Sequence, residues 1–243
     1  MISTIKKSNN PVYAVNCLLQ GLKLLSSPHL RKFIIIPILI NLVLYSMALA
    51  LGYFYISALI TQSIPSWLSW LEWLIWPLFF ISFSVIGFFT FTLLANIIAA
   101  PFYSQLAAKT LMLISGQTQP IKELPIGQVM LSELKRFGYL ISRMLPLLIL
   151  FIIPVINLIA PVIWTLFSAW GMGLEFMAYP LENQGLLFEQ QKQQAKSKRW
   201  GILSFGGLTM LGLSIPLFNL IMGPVAVIAA TIYNYDDSVE KGL

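Results

Sequence analysis

The chain has 243 residues, of which 58% are hydrophobic and only 10% are charged, whereas soluble domains carry about 25% charged residues. This composition excludes an ordinary soluble domain and predicts an all-α integral membrane protein. The net charge of +6 comes from Lys and Arg residues grouped between apolar blocks, which indicates membrane topology, so no nucleic-acid partner is expected. A single Cys and a single His exclude an internal disulfide and leave zinc without ligands, so we expect no metal site and no cofactor.

Residues 9–26 are predicted to form an N-terminal amphipathic helix. The apolar side chains that share one face of this helix are Val15, Leu18, Leu19, Leu22 and Leu25. Polar residues lie on the rest of its surface, an arrangement typical of a helix in the membrane–water interface. The helix is expected to end at the two serines that follow.

The segment after this helix has the chemistry of a generic anion site. Ser27 and Pro28 are typical of the N-cap and the first position of a helix, which here is the start of the first span. The expected donors to an anion are the amides of His29 and Leu30, the hydroxyls of Ser26 and Ser27, and the side chain of Arg31. The positive end of the helix dipole adds to them, and hydroxyl donors suit a tetrahedral oxyanion better than a halide. The alternative is an ordinary helix start at which Arg31 and Lys32 contact lipid phosphate.

Two long apolar segments are predicted to cross the membrane. Residues 33–60 contain no charged side chain and exceed the ~20 residues that span a bilayer core, which predicts span 1 at 28–61. Span 2 is predicted at 67–114, where the last part extends into the cytoplasm. The tryptophans that recur every three residues near its start are Trp67, Trp70, Trp73 and Trp76. Such indoles are expected at the membrane interface.

The remaining apolar sequence predicts a helix with a hairpin at 127–180 and a second hairpin at 200–234. Proline and asparagine interrupt both apolar blocks, and the interruptions are similar: residues 153–159 read IPVINLI and residues 215–221 read IPLFNLI. We interpret this internal repeat as two re-entrant hairpins that turn at membrane depth, where Asn can bond backbone groups released by Pro. The alternative is two kinked spans or four short ones.

The positive-inside rule predicts the location of the hydrophilic segments. Lys and Arg occur before span 1, after span 2, between the hairpins and near the C-terminus, but not in the turn at 61–66. Both termini and the long loops are therefore expected in the cytoplasm, and segments 102–114 and 127–144 are expected to form a cytoplasmic helical layer. The residues expected on its solvated or headgroup-facing surface are Glu133, Lys135, Arg136 and Arg143. The whole chain, 1–243, is interpreted as a single membrane domain.

Polar residues at membrane depth are candidates for a pore or coupling role, because their burial in lipid is costly. They are Asn41, Asn96, Asn157, Asn219 and Glu175. For the asparagines we favour structural capping at proline kinks, whereas Glu175 either emerges at the cytoplasmic interface or provides a protonatable carboxyl group. The sequence contains no Walker A loop, nucleophile elbow or paired histidines, so no catalytic residue is assigned and the chain is not expected to be an enzyme.

Several motifs, in the same order along nearly the whole chain, resemble the bacterial CysZ family of sulfate permeases. In the N-terminal half they are residues 21–33, GLKLLSSPHLRKF, followed by Pro37 and Asn41, and residues 96–102, NIIAAPF. In the C-terminal half they are Tyr179-Pro180 with Asn183, then Phe205-Gly206, Pro216, Asn219, residues 224–227, PVAV, and Ala230-Thr231. The ordered set carries the resemblance rather than any one motif.

This resemblance implies a multi-pass protein of the bacterial inner membrane that takes up sulfate for cysteine biosynthesis. It also implies two long spans, two hemi-penetrating hairpins and assembly as a homo-oligomer in contact with membrane lipid. The implied sulfate-binding residues are Gly21, Leu22, Leu25, Ser26, Ser27, His29, Leu30 and Arg31. Lys32 stands where another basic residue is usual, so its contribution is expected to be weaker.

Two other functions stay open beside a sulfate channel or permease. The basic stretch 109–143 is compatible with a structural or regulatory membrane protein that recruits soluble partners of sulfur metabolism. Basic residues near a membrane are also compatible with a lipid-headgroup binder that has no transport activity. Sulfate uptake is the main hypothesis.

Overall fold

The computed structural model describes residues 9–63, 66–116, 122 and 124–240, and every regular element in this part of the chain is a helix. The α-helices are α1 (Pro11–Leu25), α2 (Pro28–Ser63), α3 (Glu72–Ser115), α4 (Ile126–Leu150), α5 (Ala160–Asn183), α6 (Phe188–Ser197), α7 (Arg199–Leu213) and α8 (Pro216–Glu240). Short 3-10 helices occupy Ser66–Leu71 and Ile156–Leu158. The all-α prediction is confirmed for these residues.

The chain divides into two compact units. One consists of Met1–Arg31 together with Tyr103–Leu243, and the other of Lys32–Phe102. Helices α2 and α3 each continue from one unit into the other. The first unit contains α1 and α4 to α8, whereas the second contains most of α2 and α3.

Two helical segments are long and apolar enough to cross a membrane. They are Pro28–Ala58, with a mean hydropathy of 2.4, and Leu68–Ile86, with a mean hydropathy of 1.5. In their most apolar windows only 6% and 0% of the residues are buried, whereas the apolar residues of a soluble core helix are mostly buried. Length, hydropathy and exposure therefore agree with the expectation of two membrane-spanning helices.

Aromatic side chains mark the start of the second apolar segment. Trp70 and Trp73 are 64% and 81% exposed, as expected of indoles that face a membrane interface. The ring of Trp76 stacks on that of Tyr53 in α2, with the centroids 4.9 Å apart. The side chain of Trp67 lies outside the described residues.

The core of the first unit forms where α5, α7, α8 and α1 pack together. Helices α5 and α7 cross closely because glycines lie at the crossing: a β-carbon added to Gly206 would lie 1.9 Å from the carbonyl oxygen of Ala169. A β-carbon added to Gly173 would lie 2.6 Å from the side chain of Ile202. Such small residues at helix crossings are common in membrane proteins.

Helix α1 has two apolar sides. The side packed in the protein contains Tyr13, Ala14, Cys17, Leu18 and Gly21. The other side is exposed, with Val15, Leu19 and Leu22 at 37%, 53% and 37%. The sequence grouped Leu18 with this exposed side, which is wrong, because a single helix does not reveal that α1 packs against α7 and α8.

The first hairpin consists of α4, a turn at residues 151–159, and α5. Helix α4 continues through Pro146 to Leu150, so the expected cytoplasmic helix 127–144 and the first hairpin arm are one helix rather than two. The exposed apolar residues of the turn include Phe151 at 40%, Ile152 at 80%, Val155 at 77%, Leu158 at 79% and Ile159 at 56%. The turn is therefore an uncovered apolar tip, which we call the hairpin 1 tip.

The second hairpin consists of α7 and α8, separated by Ser214 and Ile215. Helix α7 has 15 residues and so rises about 22 Å, less than the ~30 Å of a bilayer core. Helix α8 continues through Asn219 and Pro224. The chain is thus interrupted directly before Pro216, where the arm 201–215 was expected to end, whereas Asn219 and Pro224 lie within α8.

The two repeated motifs have the same main-chain hydrogen bond. The amide of Asn157 donates to the carbonyl of Ile153 at 3.0 Å, and the amide of Asn219 donates to the carbonyl of Ile215 at 2.8 Å. In each case the acceptor directly precedes the proline. The repeat read from the sequence therefore corresponds to a repeated local geometry at the two turns.

Candidate functional site

The candidate anion site lies at the corner between α1 and α2, which we call the α1–α2 corner (residues 26–31). Helix α1 is closed at its end by the amide of Ser26, which donates to the carbonyl of Lys23 at 3.3 Å, and by that of Ser27, which donates to the carbonyl of Leu24 at 2.9 Å. Helix α2 starts directly afterwards at Pro28. The corner is therefore tight, and two of its amides are already used.

The amide of Leu30 is not a free donor, contrary to the expectation from the sequence. It donates to the carbonyl of Ser27 at 3.1 Å, and the amide of Arg31 donates to the same carbonyl at 3.3 Å. The start of α2 is therefore partly closed by its own tight first turn. Among the described residues, the amide of His29 makes no backbone hydrogen bond. It therefore remains a candidate donor to an anion.

Arg31 is exposed, and its position is fixed by the chain. Its Nε donates to the carbonyl of Ser26 at 3.1 Å, which holds the side chain against the corner. Within the described part of the chain its two terminal nitrogens have no hydrogen-bond partner, and neither do the hydroxyls of Ser26 and Ser27. Among the described residues, the corner thus has a guanidinium edge, two hydroxyls and one amide without a protein hydrogen-bond partner.

The preceding implied residues lie on α1. Gly21 is buried against α8, where an added β-carbon would lie 2.8 Å from the carbonyl oxygen of Val225 and 3.1 Å from the β-carbon of Ala229. Leu22 is 37% exposed, and Leu25 is half-buried. Gly21 therefore has a packing role that is independent of any ligand, because only glycine allows α1 and α8 to approach this closely.

Three of the residues expected in a pore or coupling role have described side chains, and none of these three is buried. Asn157, Asn219 and Glu175 are exposed. The two asparagines have no side-chain hydrogen bond within the described residues, and the contact that shapes each turn comes from the main-chain amide. Asn41 lies in α2 and Asn96 in α3, but their side chains lie outside the described residues.

A buried charged cluster that the sequence did not predict joins α4, α5 and α6. Arg136 is 5% exposed, and its Nη1 lies 2.9 Å from a carboxylate oxygen of Glu133. Its Nη2 donates to Glu182 at 3.0 Å and to the side-chain oxygen of Gln191 at 2.7 Å. The expectation that Arg136 lies on a solvated surface is wrong.

A second buried ion pair joins the start of α7 to the end of α8. The Nζ of Lys198 lies 2.8 Å from Oδ2 of Asp237. The neighbouring Asp236 accepts a hydrogen bond from the hydroxyl of Tyr13 in α1. Two consecutive residues of α8 therefore connect it to other helices: Asp236 to α1 and Asp237 to the start of α7.

The cluster around Arg136 escaped prediction because of the side of α4 on which it lies. On α4 the buried side is polar, with Ser132 and Arg136, whereas the apolar side is exposed, with Met130, Leu134 and Phe137 at 67%, 65% and 62%. Polar residues of an amphipathic helix were assigned to water, as in a soluble protein. The spacing of Ser132 and Arg136 by four residues was the available signal that they share one side.

The relationship to known proteins follows from the sequence as a whole. The family described as "Sulfate transporter CysZ/Etoposide-induced protein 2.4" matches residues 17–224. The chain belongs to this family. Membership agrees with the two apolar helical segments and identifies a membrane protein.

Relatives from several pseudomonads are similar to the chain over most of its length. A protein of Pseudomonas aeruginosa strain LESB58 named sulfate transporter CysZ is 39% identical over 233 residues, which cover 92% of this chain and 95% of that protein. Proteins of the same name from Pseudomonas fluorescens strain Pf-5 and Pseudomonas syringae pv. tomato strain DC3000 are 40% and 39% identical. Their alignments cover 88% of this chain and 90% and 88% of the two relatives.

Proposed function

We propose that this protein takes up sulfate across the bacterial inner membrane, as a channel or permease that supplies sulfur for cysteine biosynthesis. The observation that carries the proposal is the 39% identity to sulfate transporter CysZ of Pseudomonas aeruginosa over 92% of the chain. The donors exposed at the α1–α2 corner support it, because a doubly charged tetrahedral anion needs several convergent donors.

The residues proposed to form the sulfate site are Gly21, Leu22, Leu25, Ser26, Ser27, His29, Leu30 and Arg31, of which Ser26, Ser27, His29 and Arg31 are proposed to contact the anion. In this proposal the guanidinium of Arg31 supplies the charge, and the hydroxyls of Ser26 and Ser27 and the amide of His29 supply further hydrogen bonds. Leu30 is fully buried and its amide is used, so its role is to anchor the start of α2. Gly21 and its neighbours act by placing α1 against α8.

The proposed membrane arrangement has two spans and two re-entrant hairpins. The exposed apolar hairpin 1 tip supports insertion of the first hairpin, because so many uncovered apolar side chains are favourable only in lipid or against a partner. The short α7 supports partial penetration by the second. The exposed apolar side of α1 supports a position in the interface.

Passage of sulfate through such short arms requires several copies of the chain. We propose a homo-oligomer in contact with membrane lipid, in which hairpins of neighbouring copies line the route. The proposed pore or coupling residues are Asn41, Asn96, Asn157, Glu175 and Asn219. Their polar side chains are the ones that a conducting path at membrane depth would use.

Uptake of radiolabelled sulfate into proteoliposomes tests the proposal. Vesicles that contain the protein should accumulate sulfate faster than empty vesicles, and Arg31→Ala should lower the rate at least about tenfold, since a charge-assisted hydrogen bond contributes about 1.5–3 kcal/mol. Arg199→Ala is the matched control, because Arg199 is also an exposed arginine near a helix start whose Nε donates to a carbonyl, that of Lys196, at 3.2 Å. Uptake no faster than in empty vesicles overturns the proposal.

The same vesicles distinguish the lipid-headgroup alternative. The cation–aromatic contact of Arg143, 3.7 Å above the ring centre of Tyr139, is a specific feature that suits a phosphate ester at the membrane surface. A headgroup binder should bind glycerol phosphate, lose this binding in Arg143→Ala, and give no sulfate uptake. Sulfate uptake that Arg143→Ala leaves unchanged favours the transporter.

A further inference from the structure

Arg143 on α4 is an exposed cation without a counter-ion in the described part of the chain. Its Nη1 donates to the carbonyl of Tyr139 at 3.1 Å and to the hydroxyl of Ser142 at 3.3 Å. Its Nε and Nη2 make no hydrogen bond to the described residues, and no carboxylate among them lies within ion-pair distance of it. These two nitrogens donate in parallel from one edge of the guanidinium, a geometry that fits two oxygens of a phosphate group.

Aromatic residues of two further helices fix the position of this guanidinium. Its central carbon lies 3.7 Å from the centre of the Tyr139 ring. The indole nitrogen of Trp170 on α5 donates to the hydroxyl of Tyr139 at 3.2 Å, and the ring of Phe188 on α6 lies 5.5 Å from that of Tyr139. Arginine suits such a place, because a guanidinium is weakly hydrated and is attracted to the face of an aromatic ring.

Arg143 also stands at the boundary between charged and uncharged sequence. Residues 144–174 contain no charged side chain, and Leu145 and Leu148 on the next turns of α4 are exposed. Tyrosine and tryptophan rings are typical of the headgroup level of a membrane, where arginine reaches lipid phosphate. Helix α4 rises about 10 Å between Arg143 and Leu150, so a headgroup bound to Arg143 places the hairpin 1 tip within one leaflet of a ~30 Å bilayer core.

The neighbouring charges indicate that the anion carries one negative charge. The Nζ of Lys192 lies 5.4 Å from the centre of the Tyr139 ring, but Lys192 is paired with Glu189, so this pair is neutral as a whole. Arg143 therefore supplies the available positive charge. A phosphodiester carries one negative charge, and that of phosphatidylglycerol has no cationic group in its own headgroup to compete with arginine.

We propose that Arg143, Tyr139 and Trp170 form a binding site for the phosphodiester of an anionic phospholipid. Nε and Nη2 of Arg143 donate to two phosphate oxygens, and the phenol and indole rings lie at the level of the headgroup. The site rests on the proposed insertion of hairpin 1, whose depth it sets. It does not depend on sulfate transport, because lipid binding is measured in the absence of sulfate.

Native mass spectrometry of the full-length, detergent-purified protein tests the proposal. The protein is titrated with phosphatidylglycerol or with phosphatidylcholine of the same acyl chains. The parent should bind the first phosphatidylglycerol about fivefold or more tightly than phosphatidylcholine, as expected of one basic residue at an anionic headgroup. Arg143→Ala should lose this preference, and Arg143→Lys should recover only part of it, because an ammonium group lacks two parallel donors.

Lys135→Ala is the matched control. Lys135 is also an exposed cation of α4, but it lies in the charged part of the helix, so its replacement removes the same charge and should keep the preference. Inorganic phosphate and glycerol phosphate, added to the complex, distinguish a lipid from a free phosphate. Neither should displace phosphatidylglycerol at equal concentration, because neither has acyl chains.

Three outcomes would overturn the proposal: a preference that survives Arg143→Ala, an equal loss in Lys135→Ala, or displacement of the lipid by inorganic phosphate. A dye that senses its environment, attached at Leu158→Cys in a Cys17→Ala background, tests insertion separately in liposomes. A dye that reports water overturns the insertion on which the site rests. A dye that reports lipid, together with an unchanged preference in Arg143→Ala, overturns the headgroup site alone.

Discussion

The Nζ of Lys198 lies 2.8 Å from Oδ2 of Asp237, and the two side chains are only 3% and 4% exposed. Removing one partner of a buried ion pair leaves an uncompensated charge, which costs about 3–5 kcal/mol. We therefore expect Lys198→Met to lower the free energy of unfolding by several kcal/mol. Chemical unfolding of the detergent-solubilised protein, followed by tryptophan fluorescence, measures this change.

Lys192→Met is the control for that loss. Lys192 is 19% exposed and pairs with Glu189, which is 59% exposed, so Lys192→Met leaves the remaining carboxylate in contact with water, where an ion pair contributes about 0–1 kcal/mol. The expected change is therefore small. Equal losses in the two variants would contradict a stabilising role of the buried pair.

The close crossing of α5 and α7 predicts that replacing two different glycines with alanine changes stability in opposite directions. Gly206→Ala places a β-carbon 1.9 Å from the carbonyl oxygen of Ala169, so the helices must separate, and overpacking of this kind costs about 1–3 kcal/mol or more. Gly138→Ala on α4 meets no atom within 4 Å and should stabilise by up to about 1 kcal/mol through helix propensity. Melting temperatures compare them, and a Gly206→Ala protein as stable as the parent would refute the close crossing.

The sequence was sufficient for the segments whose apolar length is decisive. An uncharged stretch longer than a bilayer core predicted α2, and the repeated motifs around Pro154 and Pro216 predicted where the two hairpins turn. These features depend on local composition, proline geometry and backbone hydrogen bonding, which a single chain displays directly.

The sequence was insufficient to predict burial where contacts between helices determine which side chains are covered. Leu18 and Leu19 are adjacent leucines, yet one is buried and the other is 53% exposed, because α7 and α8 cover only one side of α1. Arg136 was assigned to water because a charged residue is usually solvated, whereas the structure surrounds it with two acids and Gln191. At the α1–α2 corner, the tight first turn uses the amide of Leu30, which the sequence did not reveal, and the other expected donors stay predictions.

Insertion of the hairpin 1 tip into lipid predicts a fluorescence change. A Leu158→Cys variant in a Cys17→Ala background, labelled with an environment-sensitive dye, should emit at shorter wavelength in liposomes and be quenched by lipids that carry a quencher on the acyl chain. The label at Gln193→Cys, an exposed position on α6, should respond weakly. Equal quenching by a water-soluble quencher at both positions would contradict insertion.

Alkaline pH should destabilise the protein through Tyr103. Burial raises the pKa of Tyr103 from 10.0 to about 12, so its contribution to stability is complete below pH 10 and is lost as the pH rises through about 12. We expect Tyr103→Phe to be as stable as the parent at neutral pH. Between pH 10 and about 12, its free energy of unfolding should fall by about 2–3 kcal/mol less than that of the parent.

Unfolding curves at a series of alkaline pH values, compared with those of a Tyr235→Phe control, measure the difference. Identical pH dependence of the parent and Tyr103→Phe would show that this phenol titrates normally.

Sulfate binding at the α1–α2 corner is measured most directly by titration calorimetry of the detergent-purified protein. We expect sulfate to bind the parent and Arg199→Ala with the same affinity, and to bind Arg31→Ala about ten to a hundred times more weakly, because a charge-assisted hydrogen bond is lost. Equal sulfate affinity in Arg31→Ala and the parent would contradict the assignment of the corner.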